Sequence, residues 1–125
     1  MATLSATDIA VTFDSFQALK GVSLSVEAGQ FVTLLGPSGC GKTTLLNVIA
    51  GFQSPTRGRV EIAGKDVTQL SPERRDTAMC FQSYALFPHL NVAGNIAFGP
   101  RQKRHGRDAI AARVADLIRQ LGLSG

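Results

Sequence analysis

At 125 residues with 44% hydrophobic and 18% charged side chains, the chain has the make-up of a folded domain and excludes a largely disordered one. Thirteen Lys and Arg against nine Asp and Glu leave +4, a mild excess that suits an anionic ligand and equally suits weak attraction to nucleic acid or anionic lipid. No run approaches the ~18 apolar residues of a membrane-spanning helix. Met1-Ala2-Thr3-Leu4 has no basic-then-apolar signal pattern, so a cytosolic chain is expected.

In chain order, the segment up to Gln30 alternates polar and apolar side chains. Ile9, Val11 and Phe13 fall on one side, and Val22, Leu24 and Val26 repeat the pattern. Two antiparallel strands are predicted, with Glu27-Ala28-Gly29-Gln30 as the turn out of the second. Phe31-Val32-Thr33-Leu34-Leu35 is nearly all apolar and reads as a strand buried on both faces of a parallel sheet. A Gly-rich turn leads into a helix over Lys42–Ala50, largely buried, with Gly51 at its C-terminal cap. Ser54 to Gly58 is a loop, Arg59 to Ile62 a short strand turning at Gly64-Lys65-Asp66, and Thr77 to Phe81 another buried strand.

After Gln82 the character shifts to helix and loop, with prolines at 88 and 100. Arg107 to Leu121 places Ile110, Val114, Leu117, Ile118 and Leu121 on one stripe, with Arg113, Asp116 and Arg119 away from it, which predicts an amphipathic helix. The basic stretch 101–105 has no interleaved aromatic residues for stacking, so it reads as a solvated connection and no nucleic-acid partner is expected. Cys40 and Cys80 form no CxxC and suggest neither zinc nor a disulfide; Cys80 reads as a small buried hydrophobe.

Gly36-Pro37-Ser38-Gly39-Cys40-Gly41-Lys42-Thr43 satisfies G-x-x-x-x-G-K-[ST] throughout. Triphosphate oxygens are met by successive inward-turned backbone N–H groups, and side chains on so tight a loop would block the approach; hence Gly36, Gly39 and Gly41. The following helix aims its N-terminus, the positive end of its dipole, at the same phosphates. Lys42 adds a point charge for the terminal phosphates, the Thr43 hydroxyl suits Mg²⁺, and Thr44 is placed for a nearer phosphate. A ligand-free turn from strand to helix has no use for a lysine followed by two threonines.

A phosphate loop identifies triphosphate binding and not a reaction. The wording Leu35 to Leu46 resembles the Walker A segment of ABC-transporter ATPases, and Cys80 to Leu90 resembles that family's Q-loop, with Gln82 in the glutamine's position. The phrase Pro72-Glu73-Arg74-Arg75-Asp76 is most similar to the importer branch serving polyamines, sugars, iron, sulfate and phosphonates. The resemblance implies an α/β P-loop NTPase: a RecA-like core with an N-terminal antiparallel β-subdomain over residues 1–82, then the Q-loop exit and start of the helical subdomain over 83–125. It implies ATP and Mg²⁺ as cofactors, with Lys42 and Gln82 catalytic and Thr43 and Gln82 at the metal. By the same resemblance Phe13 stacks on adenine (Phe16 being the second choice), and the Ser83–Leu90 region meets transmembrane permease subunits. A second ATPase subunit would complete a dimer, peripheral on the inner face of the cell membrane. His89 has no visible catalytic partner.

The sequence holds no LSGGQ, no apolar strand ending in Asp-Glu (Walker B) and no histidine switch. Leu123-Ser124-Gly125 imitates the opening of LSGGQ but follows Gln82 too closely for the family's spacing. A truncated chain is therefore expected, a weak ATP binder without turnover of its own. Alternatives are a non-catalytic nucleotide-binding fragment, a GTPase or small-molecule kinase, and a soluble ABC ATPase of repair or translation. No Asn-Lys-x-Asp is present to read guanine.

Overall fold

A computed structural model describes residues 2–124, in two compact units, Met1–Met79 and Cys80–Gly125. In the first, β1 (Ala2–Phe13) and β2 (Phe16–Glu27) form an antiparallel hairpin. Ile9 stands opposite Val22 and Val11 opposite Leu19, as the alternation predicts. β3 (Arg57–Ile62) pairs with the other edge of β1, and β4 (Lys65–Asp66) pairs with β3, giving the order β2-β1-β3-β4 with every pair antiparallel. Between β3 and β4 the predicted turn sits slightly earlier than expected, at Ala63 (φ 50°) and Gly64 (φ 75°), the two-residue connection whose twist suits a hairpin.

Helix α1 (Lys42–Ala50) has the predicted bounds and packs on β1 and β2. Leu45, Val48 and Ile49 meet Ile9, Val11, Leu19 and Val60 in one core, where Ile9, Val11, Val48 and Val60 are fully buried. Each such side chain contributes about 1.5–3 kcal/mol relative to exposure. Burial is one-sided, not general, for Leu46 remains 44% exposed.

Two predicted strands do not form. Residues 31–35 run as irregular chain, with Phe31 92% and Leu35 89% exposed. Thr77 to Phe81 likewise runs as irregular chain, and Cys80, expected inside, is exposed. An apolar run becomes a strand only between neighbours that take its N–H and C=O groups. Among the described residues, the strands of the antiparallel sheet pair with one another and none with these segments.

In the second unit, α2 (Val92–Gln102) starts at Asn91, whose side chain accepts from the Gly94 N–H at 2.8 Å. It packs on α3 (Arg107–Gln120), the predicted amphipathic helix. Ile110, Val114, Leu117 and Ile118 are half-buried, whereas Leu121 lies past the last helical residue and is exposed. Asp116 ties Arg113, Arg119 and Gln120 along one side of α3. Residues 101–105 are exposed, as expected for a solvated connection.

Candidate functional site

The first unit builds the phosphate loop. After Leu35 the chain turns at Pro37–Cys40, where the Cys40 N–H donates to the Pro37 carbonyl at 3.3 Å. It then enters α1 through Gly41 at φ 97°, and the Gly41 carbonyl accepts the first helical bond from Leu45 at 2.9 Å. A side chain at Gly41 would be strained, and its Cβ would fall 2.7 Å from Leu19 Cδ2 and 3.0 Å from the Ala18 carbonyl. A Cβ at Gly36 would meet Cys40 Sγ at 2.7 Å. At Gly41 the loop is thus folded against β2 with no room for a side chain, whereas a Cβ at Gly39 would meet nothing within 4 Å.

The head of α1 takes no side-chain cap and has no acidic residue in its first turn. Its N–H groups and the positive dipole end therefore face no competing carboxylate of their own helix, which is the environment an anion needs. The Lys42 ammonium donates to the carbonyls of Gly36 and Pro37, so the cation is held on the loop itself. Thr43 is exposed and Thr44 half-buried; Ser38, Gly39 and Cys40 are exposed.

Phe13 ends β1 and pairs with Phe16 at the start of β2, both well exposed (44% and 64%). Two residues further along β2, roughly 7 Å at strand spacing, come Ala18 and Leu19, the groups touching Gly41. The tip of the hairpin therefore places two exposed aromatic residues two to three positions along β2 from the groups nearest Gly41.

In the second unit, Gln82 is exposed and opens the turn 82–85, where Tyr84 and Ala85 take left-handed backbone angles (φ 64° and 51°). Tyr84 and Leu86 are largely exposed. The segment after them is held by one side chain that sequence reading missed. Asn95 accepts from the Phe87 N–H at 2.9 Å and donates to the carbonyls of Phe87, Leu90 and Asn91 at 3.3, 3.2 and 3.0 Å. The Phe87 ring stacks on Phe98 at 4.3 Å. The available sequence signal was the pair Asn91 and Asn95, one helical turn apart at a helix start. His89 lies against Phe87, 5.8 Å between ring centres.

Chemically, the loop offers backbone amides, one ammonium and hydroxyls. Those oxygens are the hard ligands Mg²⁺ takes, and that ion commonly needs only one or two protein ligands beside phosphate oxygens and water. Among the described residues there is no cluster of three or more His, Cys, Asp or Glu. The donor set fits a magnesium-bound phosphate chain better than a dedicated metal cage.

This chain belongs to the ABC transporter family, matched over residues 19–125. It is 52% identical over 108 residues to the spermidine/putrescine import ATP-binding protein PotA of Acidothermus cellulolyticus, covering 86% of this chain and 28% of that one. It is 51% identical over 115 residues to the sulfate/thiosulfate import ATP-binding protein CysA 2 of Chromobacterium violaceum, covering 90% and 31%. The chain thus spans about a third or less of the length of the curated relatives it matches. A nucleotide-free ATP-binding cassette from an ABC transporter superposes on 58% of this chain and 29% of its own, with TM-score 0.57 and 44% identity. The fold is the α/β fold of P-loop NTPases, of which this chain carries the antiparallel sheet, the phosphate loop and the helices that follow.

Proposed function

We propose that this chain is the nucleotide-holding part of the ATPase subunit of an ABC importer, binding Mg·ATP at residues 36–44. The observation that carries the reading is the phosphate loop on the uncapped, acid-free head of α1, with Lys42 held on that loop. In this reading the loop Gly36, Pro37, Ser38, Gly39, Cys40, Gly41, Lys42, Thr43 and Thr44 encloses the phosphates, every residue but Pro37 having a backbone N–H to donate. Lys42 leaves its loop carbonyls for the terminal phosphates, a charge-assisted contact stronger than the neutral ones it replaces. Phe13 stacks on adenine. Thr43 and Gln82 hold Mg²⁺, which when bound neutralises charge on the terminal phosphates.

The Ser83–Leu90 segment, exposed except at the half-buried Leu90, is the surface for the transmembrane permease subunits, and a second ATPase subunit completes the assembly. The assembled protein then lies on the cytoplasmic face of the membrane. No helix among the described residues is long and apolar enough to cross it. The import function printed for the relatives supports this direction of transport.

Titration with Mg·ATP followed by amide NMR tests the reading. Shifts should concentrate at residues 36–44 and at the Phe13 ring, and Phe13→Ala should weaken ATP without weakening inorganic triphosphate. Shifts confined to other residues would reject it. Because the chain carries no strand ending in Asp-Glu to position water, phosphate release by this chain alone should stay at the level of its Lys42→Ala variant.

A further inference from the structure

Arg75 is the one charged side chain that is buried among the described residues, at 6% exposure. Its guanidinium meets backbone carbonyls on four sides. Nε donates to Leu70 at 2.9 Å, Nη1 to Val48 and Ile49 at 2.8 and 3.0 Å, and Nη2 to Thr68 at 3.0 Å. Val48 and Ile49 lie in the last turn of α1, where carbonyls lack partners further along the helix. The amides of Gly51, Phe52 and Gln53 converge on the Asn47 carbonyl, and Gly51 also reaches that of Val48 at 3.3 Å, so Arg75 adds a second donor at Val48 and supplies one to Ile49.

The other two acceptors flank the strands. Thr68 is locked in place, accepting from the Val60 N–H at 2.9 Å and donating to Asp66 at 2.6 Å. Gly51 makes the contact possible: at φ 95°, a Cβ there would fall 2.8 Å from Arg75 Nε and 3.0 Å from Cζ. Burial pushes the Arg75 pKa down, yet a guanidinium stays charged, and a cation at this end of a helix complements the dipole.

We propose that Arg75 is a positioning residue for the phosphate loop. It pins the carbonyl end of α1 to the Thr68–Leu70 segment, and so fixes where the amide end, roughly 10 Å away along a rigid helix, meets the phosphates. Nucleotide affinity then depends on a side chain that does not touch the nucleotide. This rests on the nucleotide reading above.

Deuterium exchange over residues 42–50 and calorimetry with Mg·ATP test it on the parent chain, Arg75→Met, Arg75→Lys and Leu4→Ala. The last loosens β1 through a side chain whose cross-strand partners are Val26 and Ile62. Arg75→Met should speed exchange in α1 and weaken Mg·ATP about ten-fold. Arg75→Lys keeps the charge but loses the fork, so it should recover only part of both and supply the result should the Met variant not fold. Leu4→Ala should lower the melting temperature while keeping the parent affinity. Parent-like exchange in α1, or an affinity loss no larger than that of Leu4→Ala, overturns the proposal. A parent chain that gives no heat with Mg·ATP overturns the nucleotide reading instead, and exchange alone then decides whether Arg75 holds α1.

Discussion

Two side chains to which the sequence assigned no role, Asn95 and Arg75, hold backbone carbonyls in place at the residue scale. Asn95 spends one acceptor and two donors on the backbone of 87–91, a use of an amide that neither a carboxylate nor an aliphatic side chain can copy. Asn95→Ala should cost about 1 kcal/mol of urea stability in the second unit and speed exchange at Phe87. Asn95→Asp keeps the acceptor, loses the donors, and should rescue little; full recovery in that variant would mean that the donated bonds contribute nothing. The turn into α1 and the bounds of that helix, by contrast, were legible in the sequence, and the roles of the loop residues in binding remain a proposal. Turn and helix bounds are local, so residue type and spacing suffice to specify them. Arg75 was illegible, because its importance comes from carbonyls at a helix end and beyond β4 that only folding brings together.

At the scale of elements, α1 separates burial from hydrophobicity. Val48 is fully buried against the sheet, whereas Leu46 on the same helix is 44% exposed. Val48→Ala should therefore lower stability by roughly 2 kcal/mol, from lost transfer energy plus the cavity left behind. Leu46→Ala should cost well under half of that in the same urea titration; equal losses would place both faces in the core. Alternation predicted the β1–β2 hairpin and a helical stripe predicted α3, because each pattern reports a face that the element itself buries; α1 was expected as a largely buried helix with little polar face, and it buries one face only. Residues 31–35 and 77–81 carry an equally apolar pattern but form no strand. Composition tells which segments favour burial between strands, and says nothing of which strands stand beside them.

Across the whole molecule, four carboxylates among the described residues respond alike to their hydrogen bonds. Hydrogen bonds hold each below the ordinary carboxylate range: from Arg57 to Asp8, from Thr68 to Asp66, from Ser71 to Glu73, and from Arg119 to Asp116. A carboxyl whose folded pKa is depressed adds stability above its unfolded value, about 3.9, and that stability is lost as pH falls through the folded value. The urea midpoint should hold from neutrality to about pH 4 and then drop. Asp8→Asn/Asp66→Asn should start lower at neutral pH and drop less on acidification. A midpoint insensitive to pH below 4 would mean these pairs are screened into irrelevance, as surface pairs can be.

The ATPase reading of this ABC-family chain depends on one physical proposition, that amides 36–44 and the Lys42 ammonium enclose a magnesium triphosphate. Isothermal calorimetry of the folded chain with Mg·ATP measures it directly. Saturable heat at one site is the predicted result, weakened at least about ten-fold in Lys42→Ala through loss of a charged hydrogen bond. No heat from folded protein, or the same affinity without the Lys42 ammonium, would contradict it.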